Sequence, residues 1–277
     1  MLKDRLIVGI VGAILAIALL LFGNELLISI IISVIAIIGI TEMYNAIGFF
    51  KNNIPLVIIG YIASVTLLLI TGIGGMFDFY LLLGFAPLVF FFAFTLLIYM
   101  VLNHNKTSFS DVSQCFFSTF YVMFFFVHLI FLVMHTDGKF LIWIPIIIAW
   151  LSDTMAYTFG RLFGKHKLIP EVSPKKTVEG AIGGVFGGLV FMLIYGFVCA
   201  FGFDREVNWI SLIVLGITGA ILSQFGDLAA SWIKREQGIK DYGNLLPGHG
   251  GVMDRFDSVL VVAPFVFYYI QIFPVIY

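Results

Sequence analysis

The chain has 277 residues and a formal net charge of −1, with 61% of its residues hydrophobic and 11% charged. A soluble domain carries about 25% charged residues, so this composition excludes a water-soluble globule, a disordered tail and a nucleic-acid binder. Its apolar runs are unbroken rather than alternating, which excludes a transmembrane β-barrel and leaves an all-α, polytopic membrane helix bundle.

Apolar stretches run at about 6–22, 26–49, 54–72, 79–102, 116–134, 139–160, 178–201, 209–233 and 253–277, most of them near the roughly 20 residues needed to cross the hydrocarbon. Nine transmembrane helices are therefore predicted. The first run, Leu6–Phe22, is longer than a secretory signal core and is followed by a poor cleavage site, Gly23-Asn24-Glu25, so it reads as a retained span. Of the 15 basic residues, all but Lys139 and Arg205 lie at the N-terminus or in the second, fourth, sixth and eighth connections. The positive-inside rule then puts the N-terminus in the cytoplasm.

No linker or repeat divides the chain, so 1–277 reads as one membrane domain. Its N-terminal helices occupy 1–110, and 139–277 holds the polar helices with the two longest connections, cytoplasmic loops 161–177 and 234–252. Cys115 and Cys199 have no CxxC spacing and the histidines form no HExxH, so the sequence shows no zinc or redox motif and the two thiols are expected to be buried.

A carboxylate inside a membrane span costs several kcal/mol unless it is partnered or wet, so each one is a functional-site hypothesis. Glu42, Asp153 and Asp227 are such residues, each seven to nine residues before a cytoplasmic basic anchor, which places them about 10–14 Å deep from the same side. A shared water-filled pocket is one reading, and hydrogen bonding across helices is the other. Ser223, Asp227 and Ser231 stripe one face of span eight, and Asp153, Tyr157 and Arg161 stripe one face of span six. Span nine opens with Asp254, Asp257 and Ser258; these acids either complement the helix dipole or join Asp227 at the same membrane face.

Paired carboxylates suit Mg²⁺, which takes one or two of them and completes its shell with water and substrate phosphates. Lys234, Arg235, Lys240 and Arg255 flank the pair, beside the connection Pro247-Gly248-His249-Gly250-Gly251, where His249 is a candidate phosphate contact. Ser173 and Pro174 read as the N-cap and first position of span seven, with Lys175 and Lys176 in its first turn, an arrangement that would bind an anion. The same lysines also serve as topology signals and contacts to anionic lipid. Gly180, Gly184 and Gly188, with Gly183 and Gly187 alongside, form a small-residue ladder expected to pack helices closely, and His128 is expected to be a hydrogen-bonded structural group.

From Ser231 to Asp257 the chain reads SWIKREQGIKDYGNLLPGHGGVMDRFD, which resembles the signature of the phosphatidate cytidylyltransferases, the CDP-diacylglycerol synthases. Ser231, Lys234, Arg235, Lys240, Asp241, Gly243, Pro247, His249, Gly250, Gly251, Asp254, Arg255 and Asp257 all match it. The stretch from Gly164 to Gly180 is also similar to the family; the first 110 or so residues resemble it only as serial apolar helices. The resemblance implies a homodimeric nucleotidyltransferase that converts CTP and phosphatidic acid to CDP-diacylglycerol and pyrophosphate, with Mg²⁺ and room for a second cation. On this reading Asp227 and Asp254 hold the metal, with Asp153 and Asp257 as supporting or second-ion ligands. Asp227, Asp254, Lys240 and Arg255 are the catalytic set, and Ser173, Lys175, Lys176, Lys234, Arg235, His249, Gly250 and Gly251 bind substrate. The implied setting is a bacterial inner membrane, with the site on its cytoplasmic face. A CTP-dependent isoprenoid-alcohol or lipid kinase and a cation-coupled transporter are the alternatives, although no inverted repeat of the transporter kind is visible.

Overall fold

The computed structural model describes residues 2–74, 80–245, 248 and 250–277. Apolar runs without backbone partners in lipid can satisfy their amides only as helices, and each predicted span is helical: α1 (Leu2–Phe22), α2 (Glu25–Ala46), α3 (Ile54–Gly74), α4 (Tyr80–Leu102), α5 (Phe109–Met134), α6 (Gly138–Phe163), α7 (Val178–Gly202), α8 (Trp209–Glu236) and α9 (Met253–Ile272). Among the described residues, eight helices are long and apolar enough to cross a membrane, and a shorter apolar stretch covers Val11–Phe22.

Helix ends follow local capping chemistry more than hydropathy. Asn24 caps α2 by accepting from Leu27 N at 2.8 Å, which separates α1 from α2 at Gly23-Asn24. Helix α5 starts at Phe109, earlier than its apolar run, because Ser108 and Asp111 form a reciprocal capping box. Helix α9 stops at Ile272, whereas the sequence extends its span to 277. The last residues instead pair as extended chain, with Val207 bridged to Ile276 and Tyr277 N donating to Glu206 O at 3.0 Å.

The chain packs into two compact units. The first comprises Met1–Met134 with Asp241–Met253. In it Tyr44 of α2 and Thr119 of α5 share a 2.5 Å hydrogen bond, for which Gly60 of α3 leaves space, since a Cβ there would collide with the Tyr44 hydroxyl. His128 is fully buried, with Nδ1 2.6 Å from Phe124 O, in keeping with the structural role expected for it.

The second unit comprises His135–Lys240 with Asp254–Tyr277. Its organising feature is the glycine ladder of α7. Gly183 and Gly187 face Phe159 and Met155 of α6 and Gly188 faces Ala220 and Gly216 of α8, too close to admit a Cβ, and Gly184 faces Ala156, where a Cβ would be tight. In lipid no hydrophobic force drives helices together, so close backbone approach of this kind supplies the packing. Before α7 a short antiparallel hairpin, β1 (Lys167–Ile169) and β2 (Ser173–Thr177), pairs Lys167 with Thr177 and Ile169 with Ser173. Cys115 and Cys199 are both buried and free, as the sequence implies.

Because both native thiols are buried, introduced cysteines can report the orientation set by the positive charges. In intact cells a membrane-impermeant maleimide should label Glu206→Cys, and should label Lys106→Cys only after the membrane is broken. The reverse pattern would overturn the inside N-terminus.

Candidate active site

The hairpin corrects one sequence expectation. Ser173, Pro174, Lys175 and Lys176 lie in β2 and not in the first turn of α7, so they do not form a helix-terminal anion site. The cap falls at Thr177, whose hydroxyl accepts from Gly180 N at 3.1 Å. Glu179 in the first turn accepts from Lys165 N at 3.0 Å and His166 N at 3.2 Å, with His166 Nδ1 at 2.6 Å, and so ties the loop after α6 to the start of α7. Lys167 Nζ donates across the hairpin to Pro174 O at 2.7 Å. Strand pairing thus replaces the helix as the element that presents the two lysines.

Lys176 reaches from β2 to α8, its Nζ 2.6 Å from Asp227 Oδ2, while Ser231 Oγ donates to Asp227 Oδ1 at 3.2 Å. The pair is half-sheltered, each side chain 26% exposed. Asp153, Tyr157 and Arg161 of α6, Lys175, Lys176 and Thr177, the α7 backbone at Gly180 and Ala181, and Gln224 and Asp227 of α8 are among the residues lining one cavity of about 330 Å³. Gln224 Nε2 is committed to Ala181 O at 3.0 Å, which orders that wall. The whole stripe of span six, and Asp227 from that of span eight, therefore face one space. Glu42, the third acid at the predicted depth, is engaged elsewhere, by the backbone of Val252 and Met253.

A second, drier pair joins α8 to α9. Lys234 Nζ lies 2.8 Å from Asp254 Oδ1, with side chains 10% and 4% exposed. Three residues on, Asp257 Oδ1 accepts from Ser258 N at 2.8 Å, and Ser258 Oγ donates to Asp153 Oδ2 at 2.9 Å. Asp257 interacts electrostatically with Asp227, Lys234 and Asp153, and Asp153 in turn with Asp227 and Lys176. Four aspartates and two lysines thus form one connected charge cluster. Ser258 is its bridge, and the sequence indicated that residue only as part of a polar helix start.

The remaining predicted residues lie around this cluster. Arg255 follows Asp254 at the start of α9 and is exposed, and its carbonyl accepts from Trp150 Nε1 at 3.2 Å. Arg235 Nη1 donates to Ile239 O at 3.4 Å, and Lys240 is exposed in the connection after α8. Ser173 is partly exposed at the start of β2. Gly250 takes φ 81°, a left-handed conformation that favours glycine, and Gly251 is buried. His249, like Pro247, lies outside the described residues. Among the described residues no three His, Cys, Asp or Glu side chains gather as a ready metal cage. Hard-oxygen donors that already hold ammonium groups do, however, suit a cation that borrows the rest of its shell from water and phosphate.

Comparison with known proteins gives the family of the chain. The model of the cytidylyltransferase family covers residues 3–273. A protein of Staphylococcus haemolyticus named phosphatidate cytidylyltransferase is 37% identical over 263 residues, 95% of this chain and 96% of its own length. One of Staphylococcus aureus with the same name is 36% identical over 265 residues, again 95% of this chain and 96% of its own length. A third, from Staphylococcus saprophyticus, is 43% identical over 172 residues, 62% of this chain and 64% of its own length. With the family model matched over residues 3–273 and relatives matched over almost their whole length, the chain belongs to the cytidylyltransferase family.

Proposed function

We propose that this integral membrane protein transfers the cytidylyl group of CTP to phosphatidic acid, giving CDP-diacylglycerol and pyrophosphate for phospholipid synthesis. The site is assigned to the cytoplasmic face of a bacterial inner membrane. The observation that carries the reading is the pairing of lysines with aspartates of the long helices, Lys176 of β2 on Asp227 of α8 at 2.6 Å and Lys234 of α8 on Asp254 of α9 at 2.8 Å. Such a cluster suits a polyanionic substrate that arrives with a divalent cation, because the aspartates can take the cation while the lysines take phosphate. The names of the full-length relatives supply the cytidine and the lipid.

In this scheme a phosphate oxygen of phosphatidic acid forms a bond to the α-phosphorus of CTP, and the bond from that phosphorus to the oxygen bridging to the β-phosphorus breaks. The electron pair leaves with pyrophosphate. The attacking oxygen is already anionic, so no strong general base is required, and the residues act by positioning and by neutralising charge. Asp227 and Asp254 would hold Mg²⁺, with Asp153 and Asp257 supporting it or a second cation; when bound, the ion would offset the negative charge of the phosphates. Lys176, Lys240 and Arg255 would bind the phosphates and the leaving pyrophosphate. Ser173, Lys175, Lys234, Arg235 and the Gly250-Gly251 backbone would complete the substrate contacts.

The test is to follow label from α-phosphorus-labelled CTP into lipid, with one pyrophosphate released per CDP-diacylglycerol formed; a kinase would release CDP instead. In that assay Asp227→Asn and Asp254→Asn should each lower turnover by about 100-fold or more while leaving a folded, inserted protein. Near-normal turnover per folded molecule at saturating Mg²⁺ would refute the assignment for that residue. Lys176→Ala should lower kcat/KM about tenfold more than Lys175→Ala, because Lys176 makes the charged contact with Asp227 and Lys175 stands exposed. Equal, small effects would reduce both to topology signals.

A further inference from the structure

Glu42 is a buried carboxylate of α2, 7% exposed, that the reaction scheme does not use. Val252 N donates to its Oε1 at 3.0 Å and Met253 N to its Oε2 at 2.9 Å. Helix α9 begins at Met253, so these are among the amides that a helix start leaves without intrahelical partners. A carboxylate from 210 residues away thus caps the helix with both oxygens, and its charge complements the helix dipole.

The signature loop is shaped to admit this side chain. A Cβ on Gly251 would run into both Glu42 carboxylate oxygens, and one on Gly243 would run into Oε1. Positive φ among the described glycines occurs at Gly48, Gly238, Gly248 and Gly250, so at positions 243 and 251 the carboxylate, and not the backbone conformation, demands glycine. Two glycines of the signature are therefore explained by contact with a residue far outside it.

We propose that Glu42 is a positioning residue for cytidylyl transfer. By fixing the turn Gly250-Gly251-Val252-Met253 it sets the first turn of α9, and with it the placement of Asp254 and Arg255, the next two residues of the chain. The proposal rests on the assignment of those two residues to the reaction. A displacement of about 1 Å in a reacting constellation can cost about 100-fold in rate, so a small slackening of this cap is enough to matter.

The experiment uses the purified full chain, with rates expressed per folded molecule at a temperature well below each variant's Tm. Glutamine at position 42 keeps the size but turns a donor toward one backbone N–H. Glu42→Gln should lower kcat about tenfold and raise the Mg²⁺ concentration for half-maximal rate. Gly243→Ala, whose Cβ would also run into the Glu42 carboxylate, should do the same in the presence of Glu42. In the Glu42→Ala background, where the space is open, adding Gly243→Ala should change the rate less than twofold. A purely structural Glu42 would instead lower Tm while kcat and Mg²⁺ dependence stay as in the parent, and the Gly243→Ala effect would be the same in both backgrounds; either result would overturn the proposal. Asp254→Asn, measured alongside, separates the two levels. If it is fully active, the assignment that Glu42 is meant to serve falls, whatever the Glu42 variants do.

Discussion

The structure of the second unit turns on the cost of holding charge inside a bilayer. An ionised side chain there costs several kcal/mol unless a partner answers it, and α6, α8 and α9 carry four aspartates. In the folded chain these aspartates are interleaved with ammonium groups and hydroxyls. Lys176 meets Asp227, Lys234 meets Asp254, and Ser258 links Asp153 to the segment that holds Asp257. Under the proposed reaction those lysine side chains would give way to a divalent cation at the aspartates and turn to the substrate phosphates. A transferase of polyanionic substrates would need such an exchange.

Everything that brings these groups together is short-range. The α7 glycines let α6 and α8 approach on either side, so that Asp153 and Asp227 line one cavity. The β-hairpin ends in Thr177, which caps α7, and this places Lys176 one residue before the cap, beside α8. In α9 the first turn supplies Asp254, Arg255 and Asp257 within four residues.

Much of this was legible in the sequence, for identifiable reasons. Transmembrane helices follow from length and hydropathy because lipid allows the backbone no alternative, and the acids stood out because the same solvent penalises them. Their shared depth pointed to one pocket for Glu42, Asp153 and Asp227; Asp153 and Asp227 do line one cavity, and Glu42 does not join them. The hairpin was not legible: Ser173-Pro174 has the form of a helix start, and only the pairing of Lys167 with Thr177 shows that the chain is still extended there. Glu42 was conspicuous, but its partners are backbone amides 210 positions away, which no local pattern encodes. The end of α9 was missed because Val275 and Ile276 are apolar enough to continue a span and instead sit beside the α7–α8 connection.

The central claim is that the Lys176 ammonium occupies, beside Asp227, a place that a divalent cation can take. The most direct measurement is the thermal stability of Lys176→Met in detergent or nanodiscs, with and without Mg²⁺ and without nucleotide. Removing the ammonium leaves Asp227 short of a positive partner, so the variant should unfold at a lower temperature than the parent. Added Mg²⁺ should then recover the loss, since a ligand that binds only the folded state stabilises it, and the recovery should disappear when Asp227→Asn is added. A Lys176→Met protein whose lowered Tm is indifferent to Mg²⁺, or recovers equally without Asp227, would contradict the account.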